Sequence, residues 1–394
     1  MTVKKMKKIA TLLPALIIVL AIASCGHKNE QQPIHKIGVI VYDLKDEQVQ
    51  AFRQYMEGYL GKNFSDVDFL YSAGITTEEE EMEFLKDAIE EGVEGIIAFN
   101  SFDLEKEVEL CASGGVYYLR PSSTTDPEDF DKVADNPYFL GYFGPGNEME
   151  YQAGYDMAAY FAEEKISDSY FILSGGAGSN VMHEQRTEGM LDALQKVYGV
   201  QFDQSSTELA SASEPVSMEA GALKVTVFPG YIGVTDVGEK AVAAFEKDPA
   251  GVVMSTIPVQ TIADSLKDAS LGTIDCYTQA NGRLFKNGSL KYLCGKYESI
   301  IGPAFAAMYN AVTGYSEDFR EDGKAFTIQQ GFWVSTSYQD FQKKYELSSG
   351  ITLNAYSYED LLEVCKAHNS NATLDDLKKL AGAWDFDSAV QRRK

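Results

Sequence analysis

Histidine is scarce in this chain, with four in 394 residues, at positions 27, 35, 183 and 368. They are scattered, and His183-Glu184 lacks the second histidine of an H-E-x-x-H zinc site. Five cysteines are present, none in a C-x-x-C pair, so a structural zinc site has no ligands to draw on. The G-x-S-x-G turn of a serine hydrolase is missing. The glycines at Gly176-Ala177-Gly178 lead to Val181, where a dinucleotide fingerprint requires glycine. They read instead as a tight turn. No catalytic residue, metal ligand or cofactor is therefore assigned. Basic residues are few as well: 34 Lys and Arg stand against 59 Asp and Glu, for a net charge of −25. That deficit argues against a nucleic-acid partner, which needs clustered Lys and Arg. It argues equally against lying flat on anionic lipid.

A run long enough to span a membrane is lacking too. The longest apolar stretch, Ile9–Ala23, has 15 residues, where a span needs about 20. Four lysines precede it and no acid occurs before Glu30, as in the apolar core of a secretory signal. The run ends in Ile22-Ala23-Ser24-Cys25, which resembles the bacterial lipobox, whose cysteine takes a diacylglycerol before the signal is cleaved. The resemblance implies a signal over 1–24 and lipid attachment at Cys25. Two acyl chains, at roughly 0.8 kcal/mol per buried methylene, anchor a protein stably. The mature chain of 370 residues, with a net charge of −29, then sits outside the cytoplasm, on a polar tether over 25–35.

Beyond the tether, short β-rich runs alternate with helical stripes. Ile37–Tyr42, Asp68–Tyr71, Gly95–Phe99, Val116–Leu119, Phe139–Phe143, Tyr170–Leu173, Leu223–Phe228, Gly251–Ser255 and Thr273–Tyr277 read as strands. The acid run at 78–81 suits the first turn of a helix capped by Thr76 or Thr77. Gln201–Ala220 is polar and aperiodic and reads as an exposed excursion. Such alternation builds parallel sheets covered by helices. Nine strands exceed one ordinary sheet, which predicts two α/β lobes meeting near Tyr142–Asn147. Ligands in such sheets bind beyond the carboxyl ends of the strands. Cys276 and Cys294 could bridge, or all four remaining cysteines could be separate buried thiols.

The segments IGVIVYDL, GVEGIIAFNS, YFLGYFGPGNEMEYQAGYDMA, HEQRTEGM, GVVMST and LKYLCGKYESIIGPAFAAMYNAVTG follow one another over about Lys36–Gly314. In order and spacing this series resembles the type I periplasmic binding proteins, the sugar-type solute receptors of ABC importers. The resemblance implies two Rossmann-like lobes with parallel sheets, joined by a three-crossing hinge near Tyr142–Asn147, Cys294–Tyr297 and Ala325–Gly331. The first lobe would hold 36–143 and 297–325. The second would hold 144–296 and 326–344, with Phe326–Ser337 returning to it as a strand, and 345–394 would form a helical tail anchored by Trp384. Asn100 and Ser101 match the family's ligand-binding position after the third strand, and Arg186 matches its second-lobe arginine. Strand ends add Tyr42, Asp43, Arg120, Tyr231, Thr256, Tyr277 and Tyr297 as further ligand candidates.

The expected function is a monomeric, lipid-anchored receptor that captures a small sugar-like solute by hinge closure and delivers it to an ABC permease. A sensory ectodomain feeding a membrane kinase is the alternative. The candidate pocket is rich in tyrosine and poor in carboxylate, which leaves a nucleoside or other aromatic solute open as ligand.

Overall fold

The alternation resolves into two sheets in the computed structural model, which describes residues 34–176, 180–232, 234, 236–349 and 354–394. Cys25 and the expected signal over 1–24 lie outside the described residues. The first sheet holds β1 (His35–Val41), β2 (Val67–Gly74), β3 (Gly95–Ala98), β4 (Tyr117–Arg120) and β5 (Phe139–Gly144). The second holds β6 (Ser169–Gly175), β7 (Val216–Ala220), β8 (Leu223–Pro229), β9 (Val252–Ser255), β10 (Ser270–Cys276) and β11 (Leu290–Lys296). Two short strands follow, β12 (Phe326–Gln329) and β13 (Trp333–Ser335). The strand orders are β12-β5-β4-β3-β1-β2 and β13-β11-β10-β9-β6-β8-β7. Every pair in the first sheet is parallel. In the second, only the edge strands β7 and β13 run antiparallel to their neighbours.

Two places depart from the sequence reading, and the cysteines settle on one of its two alternatives. Phe326–Gln329, expected in the second lobe, pairs with β5 and completes the first sheet. Gly141 permits this: at φ +134° it leaves room for the Phe326 carbonyl, which a Cβ would meet at 2.0 Å. The third crossing is thus Gln330–Phe332, and only β13 reaches the second sheet. The polar excursion before Ala220 carries a helix, Ser206–Ala210, fixed by a Ser205/Glu208 capping box. It then forms edge strand β7, which turns into β8 through Gly221 at φ +63°. All four described cysteines are free and buried. Cys294 sits opposite Ile274, and Cys276 opposite Lys296.

The helices that frame the second lobe meet backbone to backbone. Asn147–Glu163 and Val181–Tyr198 cross where a Cβ on Gly154 would lie 1.8 Å from the Arg186 carbonyl, and one on Gly189 2.1 Å from that of Tyr151. No larger residue fits either position. This close approach brings Arg186 beside Glu150.

The tail packs on the first lobe and on the crossings. Helices Tyr358–Val364 and Leu374–Gly382 each start in a capping box, Ser357/Asp360 and Thr373/Asp376, and lie against the Gly302–Asn310 helix. The Tyr55 hydroxyl donates to the Tyr356 carbonyl at 2.9 Å, and the Tyr358 N–H donates to the Tyr59 hydroxyl at 2.8 Å. The Trp384 carbonyl accepts from Tyr297 Oη at 2.7 Å and from Trp333 Nε1 at 2.9 Å. Its ring covers Gly331, where a Cβ would come within 2.6 Å. One residue of the tail therefore joins the second and third crossings.

Candidate functional site

In parallel sheets the strands' carboxyl ends leave the chain with unsatisfied polar groups and no side chains committed to the core. The tip of β4 continues as Arg120-Pro121-Ser122-Ser123-Thr124-Thr125. Lys296, the last residue of β11, reaches it from the other sheet: its Nζ donates to the Ser122 carbonyl at 2.5 Å. Thr124 Oγ1 shares its one proton between the Pro145 carbonyl and Glu150 at the start of the second-lobe helix, each 3.0 Å away. Further along, Tyr42 hydrogen-bonds Asp46 and lies within electrostatic reach of Asp275 on β10. Arg283 approaches Glu47 at 3.9 Å. The strand tips of the two lobes therefore face one another.

Glu150 is fully buried. Its second oxygen accepts from Arg186 Nε at 2.6 Å, while Arg186 Nη1 donates to the Thr256 carbonyl at 2.9 Å. One helical turn before Arg186, His183 Nδ1 accepts from the Gly176 N–H at 3.0 Å, which places the ring proton on Nε2. Burial, reinforced by Arg186 and Lys296, pushes His183 down to about 3, so it is neutral. Burial likewise pushes Lys296 down to about 8. Across the cleft, Glu81 is pushed up to about 9, first by burial and then by Glu107 beside it. Together the two carboxyls take the Phe102 N–H at 2.9 Å, and Glu107 takes the Asp103 N–H at 2.8 Å. The pair holds the Asn100–Asp103 turn in place.

Several polar atoms at these tips are buried with no hydrogen-bond partner: Asn100 Oδ1, Arg120 Nε, Ser122 Oγ, Ser123 Oγ and Asn147 Oδ1. Buried polar atoms of a finished interior are almost always paired. Other exceptions lie elsewhere, among them Tyr71 Oη, Gln260 Oε1 and Arg393 Nε, so the group at the strand tips is a candidate place for a polar guest.

No family model and no curated protein matches the chain. Solved structures do. A periplasmic solute-binding protein of an ABC transporter from Actinobacillus succinogenes 130z, with bound D-allose, superposes with TM-score 0.59 at 13% identity, over 78% of this chain and 99% of that one. A galactofuranose-binding protein gives 0.58 at 11%, covering 80% and 99%. A carbohydrate transporter protein from Acidothermus cellulolyticus 11B, in complex with myo-inositol, gives 0.58 at 16%, covering 81% and 100%. The chain has the type I periplasmic binding protein fold.

Within the periplasmic binding protein fold the ten candidate residues separate. Asn100, Ser101 and Arg120 stand half-buried at the first-lobe tips. Asn100 Nδ2 is held by Glu81 at 3.4 Å, and Arg120 Nη1 by Thr125 at 3.2 Å. Tyr42 and Tyr231 lie at the rim, 39% and 42% exposed. Tyr231 sits edge-on to His183 and packs against Gly176. Asp43 is exposed and accepts from the Lys45 N–H as a turn cap. Thr256 is buried, its hydroxyl on the Leu173 carbonyl. Arg186 is buried on Glu150 rather than on Glu184 or Glu188.

Tyr277 and Tyr297, expected at the ligand, belong to the core instead. Tyr277 bonds Ser335 at 2.8 Å and stacks on Phe341, while Tyr297 stacks on Trp333 at 3.8 Å. Both rings are too large and apolar to leave in water when a neighbouring aromatic can cover them. Sequence reasoning missed Glu150, His183, Lys296, Asp275 and Thr124. Lys296 closes the LKYLCGK strand, and a search of every strand end would have found it.

The Arg186–Glu150 pair yields a first prediction. Arg186→Gln removes the guanidinium that donates to the buried Glu150 side chain at 2.6 Å and should cost about 3–5 kcal/mol. Adding Glu150→Gln should recover most of that loss in urea unfolding. Equal destabilisation in the single and double variants would refute the coupling.

Asp275 yields a second. Burial, with Asp46 and Glu47 adding, pushes it up to about 7. The folded state thus favours its protonated form, a contribution present below the ordinary aspartate range and lost as pH rises through about 7. Asp275→Asn keeps the acceptor for Asn281 Nδ2, now 2.7 Å away. It should gain in melting temperature on the parent chain between pH 5 and pH 8. A difference unchanged with pH contradicts this.

Proposed function

We propose that the chain is a lipid-anchored extracytoplasmic receptor that captures a small hydroxylated solute between its lobes and delivers it to an ABC importer. The observation that carries this reading is the line of buried, unpartnered polar atoms from Asn100 through Arg120 to Ser123 at the tips of the first sheet. These groups offer one amide acceptor, one guanidinium donor and two hydroxyls, a set suited to a sugar-like polyol. Proteins of this fold whose names record D-allose, galactofuranose or myo-inositol support the solute class. Hinge bending about three crossings would alter the cross-lobe contacts Lys296–Ser122 and Thr124–Glu150, so ligand and closure would be linked. Among the described residues no helix is long and apolar enough to cross a membrane. Attachment falls to Cys25 in this reading, and a membrane-associated chain whose Cys25 carries no acyl groups by mass spectrometry would count against it.

The mature chain should show a cooperative upward shift in melting temperature with at least one member of a panel of aldoses, inositols, sugar acids and nucleosides. At a hundredfold excess over Kd the stabilisation should be about 2.7 kcal/mol. Silence across the whole panel would overturn the receptor reading.

A further inference from the structure

The cross-lobe cluster has a charge imbalance. Lys296 and Arg186 are both buried, at 7% and 4% exposure. The charged groups in electrostatic reach of Lys296 are Glu150 and Arg186. Glu150 is already engaged by Arg186 Nε at 2.6 Å and by Thr124 Oγ1 at 3.0 Å. The remaining neighbours of Lys296 carry no charge to offset it. His183 is neutral, burial pushes the Cys276 thiol upward, and the Ser122 carbonyl at 2.5 Å is a neutral acceptor. Two cations therefore share one carboxylate in a dry interior, where an unmatched charge is expensive.

The unpartnered groups beside this surplus are mostly donors. Ser122 and Ser123 are each 93% buried, and neither hydroxyl has a partner. Arg120 Nε is buried without an acceptor, although Nη1 ties the same guanidinium to Thr125 in that turn. The turn from Arg120 to Thr125 thus presents a guanidinium N–H and two hydroxyls within the stretch whose carbonyl Lys296 grips. Asn100 Oδ1 supplies an acceptor from just beyond the adjacent strand β3.

We infer, resting on the receptor reading above, that the captured solute is a sugar acid, and that Lys296, Arg120, Ser122 and Ser123 form the subsite for its carboxylate. The carboxylate supplies the missing negative charge and accepts from the idle donors, while Asn100 receives a hydroxyl of the same molecule. Charged hydrogen bonds of this kind are about twice as strong as neutral ones. That difference gives the site a means to prefer the acid over the matching sugar.

Titration calorimetry of the mature chain at pH 7, with D-galacturonate, D-galactose and D-galactose 6-phosphate, tests this. The acid should bind at least tenfold more tightly than the neutral sugar. Lys296→Met should reduce acid binding to the neutral level, and Lys296→Arg should restore part of the preference. With the parent chain, acid binding should weaken from pH 7 to pH 9 as Lys296 loses its proton among Glu150, Arg186, His183 and Cys276. The arginine variant should show no such loss. Equal or tighter binding of galactose overturns the sugar-acid assignment while leaving the receptor reading in place. So does tightest binding of the phosphate, or an acid preference that survives Lys296→Met. If no member of the wider solute panel binds, the receptor reading fails first.

Discussion

Glu150 accepts from Arg186 within its own lobe and from Thr124 in the other. A carboxylate removed from water needs nearly all its lone pairs engaged, or it costs several kcal/mol. Thr124 can add to that bonding only while the two sheets stand tip to tip. The backbone contacts at Gly154 and Gly189 set the distance between the helices that carry Glu150 and Arg186. Thr124 depends in turn on the path of the chain beyond β4. Position and charge are therefore coupled: moving one lobe alters the solvation of a buried ion in the other.

The crossings have their own constraint. Tyr297 and Trp333 stack at 3.8 Å, and both donate to the Trp384 carbonyl. A single acceptor from the tail thus fixes two crossing segments, while Arg392 donates to the Ala355 and Ala383 carbonyls and holds the tail to itself. Relative motion of the lobes has to turn about this aromatic cluster. It cannot shear the cluster without exposing rings that are buried entirely or nearly so. The first crossing is tied differently: the Gly144 carbonyl accepts from the Gln330 N–H at 3.0 Å, and the Pro145 carbonyl lies 3.0 Å from Thr124 Oγ1.

The sequence made the nine core strands legible because buried parallel strands are near-continuous apolar runs. Edge strand β7 was hidden for the converse reason: its residues alternate between half-buried and exposed, with none in the core. Strand β12 was assigned to the wrong sheet, since FTIQ carries no mark of its partner. The mark lies nearly two hundred residues earlier, in the glycine at 141. The candidate site was legible as positions rather than as partners. Arg186 was found by its motif, but its bond to Glu150 spans 36 residues, and the Lys296–Ser122 bond spans 174. Tyr277 and Tyr297 misled because aromatic residues at strand ends serve stacking on a sugar and stacking on Trp333 or Phe341 equally well.

The contrast between surface and interior follows from the same electrostatics. A chain with net charge −25 surrounds its buried cations with a negative field. That field lowers the cost of keeping a charge on Lys296 in a site holding one nearby carboxylate. It also opposes the approach of any anion from outside. Salt screens the long-range repulsion over about 10 Å at 0.1 M, yet leaves contacts inside a closed cleft almost untouched. Under the sugar-acid proposal, the acidic surface would slow the solute's entry, while contacts inside a closed cleft would hold it.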